Sequence, residues 1–232
     1  MSDKDKNSNK ENIFKHGLGR TLLFWFLVLS IIPMTAVGVI SYHNAHRSLY
    51  KDAENALESV SKIKTEHILS YFSDMLTDLR HQSEMQSNIE LMENLTKAFK
   101  ESNKPPEDFV NSIKWTRITD EQGNDLANYR RTYGYNDVFL IDTRGNILFS
   151  VGNGEDLGTN LFNGKNSDTL FPVACKKALE TGRLTFSDYE FYAPSGNLVS
   201  GIVVSVIVND YGEKIGLLAF QFPIYQIDNI MQ

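Results

Sequence analysis

Gly152-Asn153-Gly154-Glu155-Asp156-Leu157-Gly158 is the stretch that comes nearest to a known chemical motif, because glycines that follow a strand can cradle a phosphate. Its spacing is GxGxxxG, no helix starts directly after it, and two acids stand where an anion would bind, so it reads as a turn-rich loop. His43 and His46 have an HxxH spacing but lack an acid or third ligand in register, which leaves no metal site. Cys175 is the single cysteine, so no intrachain disulfide is possible, and all five histidines lie far upstream at 16, 43, 46, 67 and 81. It reads as a small packing residue. Asp142, Asp188 and Glu190 lie on or beside strands, where a carboxylate pair could do acid–base work, although strand-end acids are more often solvated or held by turn amides. No nucleophile elbow, Walker loop or HExxH is present. The residue types point to no catalytic centre, metal or cofactor.

The elements that must carry any site begin with an apolar run. Residues 21–42, TLLFWFLVLSIIPMTAVGVISY, contain no charge. As a helix they would reach about 33 Å, against about 30 Å of bilayer hydrocarbon. Trp25 and Tyr42 suit the two interfaces, and Pro33 is tolerable in a membrane helix. A cleaved signal peptide with Ala36-Val37-Gly38 as its small-residue site is the competing reading; the apolar run continues past that site, which favours an anchor. Lys4, Lys6, Lys10, Lys15 and Arg20 precede the span, whereas Arg47, Lys51 and Lys62 follow it at similar distance. That bias places the N-terminus in the cytoplasm and residues 43–232 outside the inner membrane. Residues 1–20 read as a cytoplasmic tail, the first dozen of them disordered. The formal charge of −6 gives no concentrated basic surface and no case for nucleic acid.

From 43 to about 100 there is no Pro and no Gly. Apolar residues recur in steps of three and four from Leu49, Ala53, Ala56, Leu57, Val60 and Ile63 to Ile68, Tyr71, Phe72, Met75 and Leu79. One long helix with one buried stripe is expected, packed on another domain or on a second copy as a homodimer. Pro105 and Pro106 break it, and short helices with a linker fill 101–134. The period then changes. Strands are expected at 136–142, 146–151, 183–192, 197–208 and 214–222, with a helix from Thr169 to Glu180 capped by Ser167 or Asp168. Short turns join most strands, giving an antiparallel α+β pattern over 135–222. Residues 223–232 start a further helix with no stop signal, so the natural protein is expected to continue beyond this N-terminal fragment.

The blocks Tyr133-Gly134-Tyr135-Asn136-Asp137-Val138-Phe139-Leu140-Ile141-Asp142, Gly145-Asn146-Ile147 and Asp156-Leu157-Gly158-Thr159-Asn160-Leu161 resemble the Cache family of bacterial extracytoplasmic sensors. Phe186-Ser187-Asp188, Tyr192-Ala193-Pro194-Ser195 and Ile215-Gly216-Leu217 leading to Gln221 agree, in that order. The anchor, with Leu29-Ser30-Ile31-Ile32-Pro33 and Ser41-Tyr42, resembles the leading segment of double-Cache chemoreceptors and sensor histidine kinases. The Arg-x-x-Trp-Tyr block of the amino-acid-binding subgroup is not found, since Trp115, Arg117, Arg130 and Arg131 do not match it in order.

The resemblance implies a PAS-like five-stranded sheet with the long helix alongside, a second module downstream, and a small-molecule ligand. In that reading the ligand sits between the sheet and the loop-plus-helix segment inserted after the second strand. Tyr135, Asp188 and Tyr192 would supply hydrogen bonds and aromatic walls, and Arg130 and Arg131 would pair an anionic ligand, one of them bidentately. The expected function is the input region of a transmembrane receptor, signalling by a helix shift; a membrane-anchored periplasmic enzyme and a structural coiled-coil anchor are the rivals.

Overall fold

A computed structural model describes residues 8–196 and 198–231. Residues 1–7, Asn197 and Gln232, expected in a polar tail, at the start of the fourth strand and in the last helix, lie outside the described residues. The chain divides into two compact units, Met1–Ile63 and Lys64–Gln232.

In the first unit the chain is helical from Ser8 onward, as part of α1 (Ser8–Glu84). The tail expected to be unstructured is therefore helical from Ser8, because each residue added to an existing helix gains one backbone hydrogen bond. The helix contains a window of mean hydropathy 2.4, none of it buried, long and apolar enough to cross a membrane. Pro33 lies inside it, and the Thr35 hydroxyl donates to the Ile31 and Ile32 carbonyls at 2.9 Å. Farther along, Leu49, Leu57, Val60 and Ile63 are exposed.

In the second unit the same stripe is covered: Met75 and Leu79 are buried, with Tyr71, Phe72 and Leu76 packed against them. The expected helix to residue 100 is broken at Met85, whose backbone is extended (φ −69°, ψ 129°), and α2 (Gln86–Ser102) follows. No Pro or Gly causes the break. The Asn88 amide reaches back to the Gln82 carbonyl at 2.8 Å and to the Gln82 side chain at 3.0 Å, and Ser83 bonds Ser205 of the sheet at 2.9 Å. The turn lets Leu91, Met92 and Leu95 of α2 enter the core. Short helices α3 (Pro106–Phe109), α4 (Ile113–Gln122) and α5 (Asn124–Tyr133) follow. Ser112 caps α4 by accepting from the Trp115 amide, and the Trp115 indole N–H donates to the Leu148 carbonyl at 2.7 Å.

The sheet comprises β1 (Asp137–Asp142), β2 (Ile147–Ser150), β3 (Thr185–Tyr192), β4 (Leu198–Val208) and β5 (Lys214–Pro223), in the order β2-β1-β5-β4-β3, antiparallel throughout. This is the expected antiparallel α+β, PAS-like sheet. Alternate side chains enter two cores. Val138, Leu140, Val203, Leu218, Phe220 and Phe222 face the helices α1, α2 and α5. Phe139, Ile141, Ile202, Val204, Leu217 and Ala219 face α6 (Leu170–Thr181). The Asp142 carboxylate accepts from the Arg144 and Asn146 amides at 2.9 Å and from the Asn146 side chain at 2.7 Å, so it builds the β1–β2 turn. A last helix, α7 (Tyr225–Met231), closes the described chain.

The N-terminus of α6 is capped from a distance. Thr169 stands at the cap position without a side-chain capping bond, its hydroxyl donating instead to the Asn166 carbonyl at 2.9 Å, and neither Ser167 nor Asp168 serves. Instead the Glu190 carboxylate of β3 accepts from the Leu170 amide at 2.9 Å and the Phe171 amide at 3.2 Å. A charged acceptor there satisfies orphan N–H groups and complements the helix dipole.

Candidate functional site

The C-terminal turn of α5 brings two arginines to the start of β1. Gly134 ends the helix in the left-handed conformation (φ 71°), which costs glycine no steric strain, and its amide donates to the Arg130 carbonyl at 3.0 Å. The chain then reverses so that Arg130 lies beside Asn136. Its Nε donates to the Asn136 carbonyl at 2.8 Å, which leaves both terminal amino groups of the half-buried guanidinium for other acceptors. Arg131 is exposed and donates to the Asn128 side chain at 2.7 Å. The ion pair formed among the described residues joins Lys114 to Glu101, so neither arginine is neutralised by direct pairing there.

Arg130, Arg131, Tyr135, Asn136 and Asp137 form one wall of an open cleft of about 660 Å³. Val151, Gly152 and Gly154 supply a second wall, and Pro194, Ser195, Leu198 and Tyr225 the rest. Asn136 lines the cleft, and its side-chain nitrogen is buried without an acceptor.

Behind the cleft the polar groups are buried and joined. Asp137 accepts from the Ser150 hydroxyl at 2.6 Å and from the Gly152 and Val138 amides at 2.7 Å each. Burial nevertheless pushes its carboxyl above the ordinary range, against the pull of these donors and of Arg130. Asp156 accepts from the Tyr192 hydroxyl at 2.9 Å. Burial, with the nearby Asp137 charge adding to it, raises that carboxyl too, and the Tyr192 phenol is held well above its usual value by burial and by Asp156. Gln221, fully buried, accepts from Ser195 at 2.8 Å and donates to Ser200 at 2.7 Å.

Of the five residues expected to bind ligand, the structure brings together Arg130, Arg131 and Tyr135. Asp188 and Tyr192 are elsewhere. Asp188 is exposed, and its carboxylate accepts from the Tyr189 amide at 2.8 Å. Tyr192 is fully buried, packed edge-on against Phe171. Four apart, the two would share a face in a regular strand. A register shift between Ser187 and Glu190 breaks that alternation. The space between the sheet and α6 is filled by Phe139, Leu161, Phe171, Cys175 and Tyr192. The opening lies beside α5, where Val151, Gly152 and Gly154 of the loop inserted after β2 line it.

Asn136, Asp137, Asp156, Ser195 and Gln221 were not singled out from the sequence. The signal for the two acids was the glycine pair in the 152–158 loop. A Cβ on Gly152 would stand 2.7 Å from the Asp137 carboxylate, and one on Gly154 would stand 2.8 Å from that of Asp156. The glycines seat carboxylates, not phosphates.

No protein-family model matches the chain, and no curated protein matches it. Solved structures do. The sensor domain of the V. cholerae histidine kinase DctB superposes with a TM-score of 0.55 at 14% identity, covering 79% of this chain and 60% of that one. The fold is that of the DctB sensor domain. The present chain thus spans 60% of the length of the DctB domain, and the likeness is one of fold. Lower similarity extends to the E. coli DcuS sensor domain (TM-score 0.41, 12% identity, 68% of this chain and 92% of that one). It extends also to the ligand-binding domain of the Pseudomonas fluorescens chemoreceptor CtaA in complex with L-serine (0.46, 9%, 78% and 64%). Arg130, Arg131 and Tyr135 sit where α5 feeds the first strand of the sheet.

Proposed function

We propose that this chain is the extracytoplasmic sensing region of a transmembrane receptor of the chemoreceptor or histidine kinase type, with a small anionic ligand held in the cleft beside α5. The observation that carries this reading is the Arg130 fork, which lines the cleft with both terminal amino groups outside any ion pair among the described residues. A carboxylate can take two parallel N–H bonds from a guanidinium. Residues 21–42 form the membrane span, residues 43–232 lie outside the cytoplasm, and the exposed stripe of Leu49, Leu57, Val60 and Ile63 pairs with a second copy.

Signalling requires that the ligand bind one of two arrangements better than the other. The Gln226 side chain of α7 supports a route. It donates to the Tyr133 and Gly134 carbonyls at 3.3 and 3.0 Å, beside the cleft, and accepts from the Tyr71 hydroxyl of α1. Movement of the α5 cap on ligand binding thereby reaches both terminal helices. The test is titration calorimetry of the full chain in lipid nanodiscs against mono- and dicarboxylates. Arg130→Gln is expected to weaken binding at least about tenfold. Arg131→Gln, whose side chain is exposed and already bonded to Asn128, costs less. Unchanged affinity in Arg130→Gln would remove the assignment.

A further inference from the structure

The cleft does not end at the arginines. A second opening of about 380 Å³ shares Ala127 and Val151 with it and continues to Trp115, Thr119, Asp120 and Asn124. The reason is the helix period. Asn124, Ala127 and Arg130 or Arg131 follow at steps of three and four, so they line one face of α5, and the segment leaving β2 forms the opposite wall. From Asn124 to Arg131 the trough runs about 10 Å at 1.5 Å per residue. Ala127, at its middle, lines both openings.

The two ends differ in charge. At one end stand Arg130 and Arg131. At the other stand the Asp120 carboxylate, exposed and outside any ion pair among the described residues, the Asn124 side chain, and the Trp115 indole. The Asn124 amide nitrogen is engaged with the Asp120 carbonyl, which leaves its oxygen to accept. The indole is held in place by its bond to Leu148, and an indole face attracts cations. The helix dipoles do not override this, because the C-terminus of α4 and the N-terminus of α5 meet at Gly123 and offset each other.

Building on the anion-binding reading above, we propose that the ligand is an elongated zwitterion, with its carboxylate on Arg130 and Arg131 and its amine at the opposite end of the trough, beside Asp120, Asn124 and Trp115, where the rise of α5 from Asn124 to Arg131 is about 10 Å. The free α-amino acid zwitterion, with its charges on neighbouring carbons, is too short to engage both ends.

The test compares 8-aminooctanoate, octanoate and 3-aminopropanoate by titration calorimetry on the full chain in nanodiscs. An extended eight-carbon chain spans about 9–10 Å at roughly 1.2 Å per bond. The expected result is that 8-aminooctanoate binds about tenfold or more tightly than either of the other two. Asp120→Asn, a change at an exposed side chain, should abolish that advantage while leaving octanoate binding intact. Equal binding of octanoate and 8-aminooctanoate, or an advantage that survives Asp120→Asn, overturns the zwitterion assignment and leaves the carboxylate cleft standing. Absence of binding by octanoate and 8-aminooctanoate, with no carboxylate bound in the wider panel, overturns both.

Discussion

Gly152→Ala should damage the floor of the cleft in a way that can be assigned to one contact. The added Cβ would stand 2.7, 3.0 and 3.2 Å from Oδ2, Cγ and Oδ1 of Asp137, closer than carbon and oxygen normally approach. Asp137 cannot yield freely, because Ser150 and the Gly152 and Val138 amides hold it at 2.6–2.7 Å. Overpacking of this kind costs about 1–3 kcal/mol, and loss of a hydrogen bond to a buried carboxylate lies in the same range. At about 2–4 °C per kcal/mol for a body of this size, the melting temperature should fall by roughly 3–10 °C. Circular dichroism melts of the full chain in detergent measure it. The decisive comparison is the same substitution in an Asp137→Ala background, where the clash is absent and the extra cost should shrink to less than half. An unchanged melting temperature for Gly152→Ala, or the same loss in both backgrounds, would refute the proposed contact.

Glu190→Ala removes the acceptor at the start of α6 and should cost about 0.5–2 kcal/mol, with Glu190→Gln losing less, as read from denaturant midpoints. Burial raises the Asp137 and Asp156 carboxyls, so folding favours their protonated forms. Their contribution to stability is therefore full below an unfolded value near about pH 4 and is lost as pH rises through the raised native values. Asp156→Asn, which keeps an acceptor for Tyr192, should flatten the fall in melting temperature as pH rises above about 4; an unchanged slope would contradict the burial account. Leu57→Asp, at an exposed stripe position, should weaken self-association in crosslinking while leaving the melt of the Lys64–Gln232 unit unaltered. Identical crosslinking in wild type and variant would show that the stripe is not a pairing surface.

The strands were legible because their information is local. Alternation and turn residues such as Thr143-Arg144-Gly145-Asn146 set β1 and β2 within a residue or so of their positions. The break at Met85 was not, because it rests on side chains from distant parts of the chain, with Ser205 on Ser83 and the sheet under Leu91, Met92 and Leu95. The site divides in the same way. Arg130, Arg131 and Tyr135, close in sequence to the first strand, line one cleft. Asp188 and Tyr192 lie on β3 as expected but on different faces of it, because one irregularity changes which face a side chain takes, and nothing in Ser187-Asp188-Tyr189-Glu190 announces it. The buried acids needed the three-dimensional fold, since Gly154 reveals Asp156 only once the loop has folded back.

The bond from the Trp115 indole to the Leu148 carbonyl has a practical consequence. The chain contains two tryptophans, Trp25 and Trp115. Replacing Trp25 with Phe leaves a single fluorophore, half-buried at the far end of the trough and tied to the strand that leads into its wall. Its emission wavelength and its accessibility to iodide would then follow occupancy of the cleft in real time, with no attached dye and no change to a residue at the arginine end.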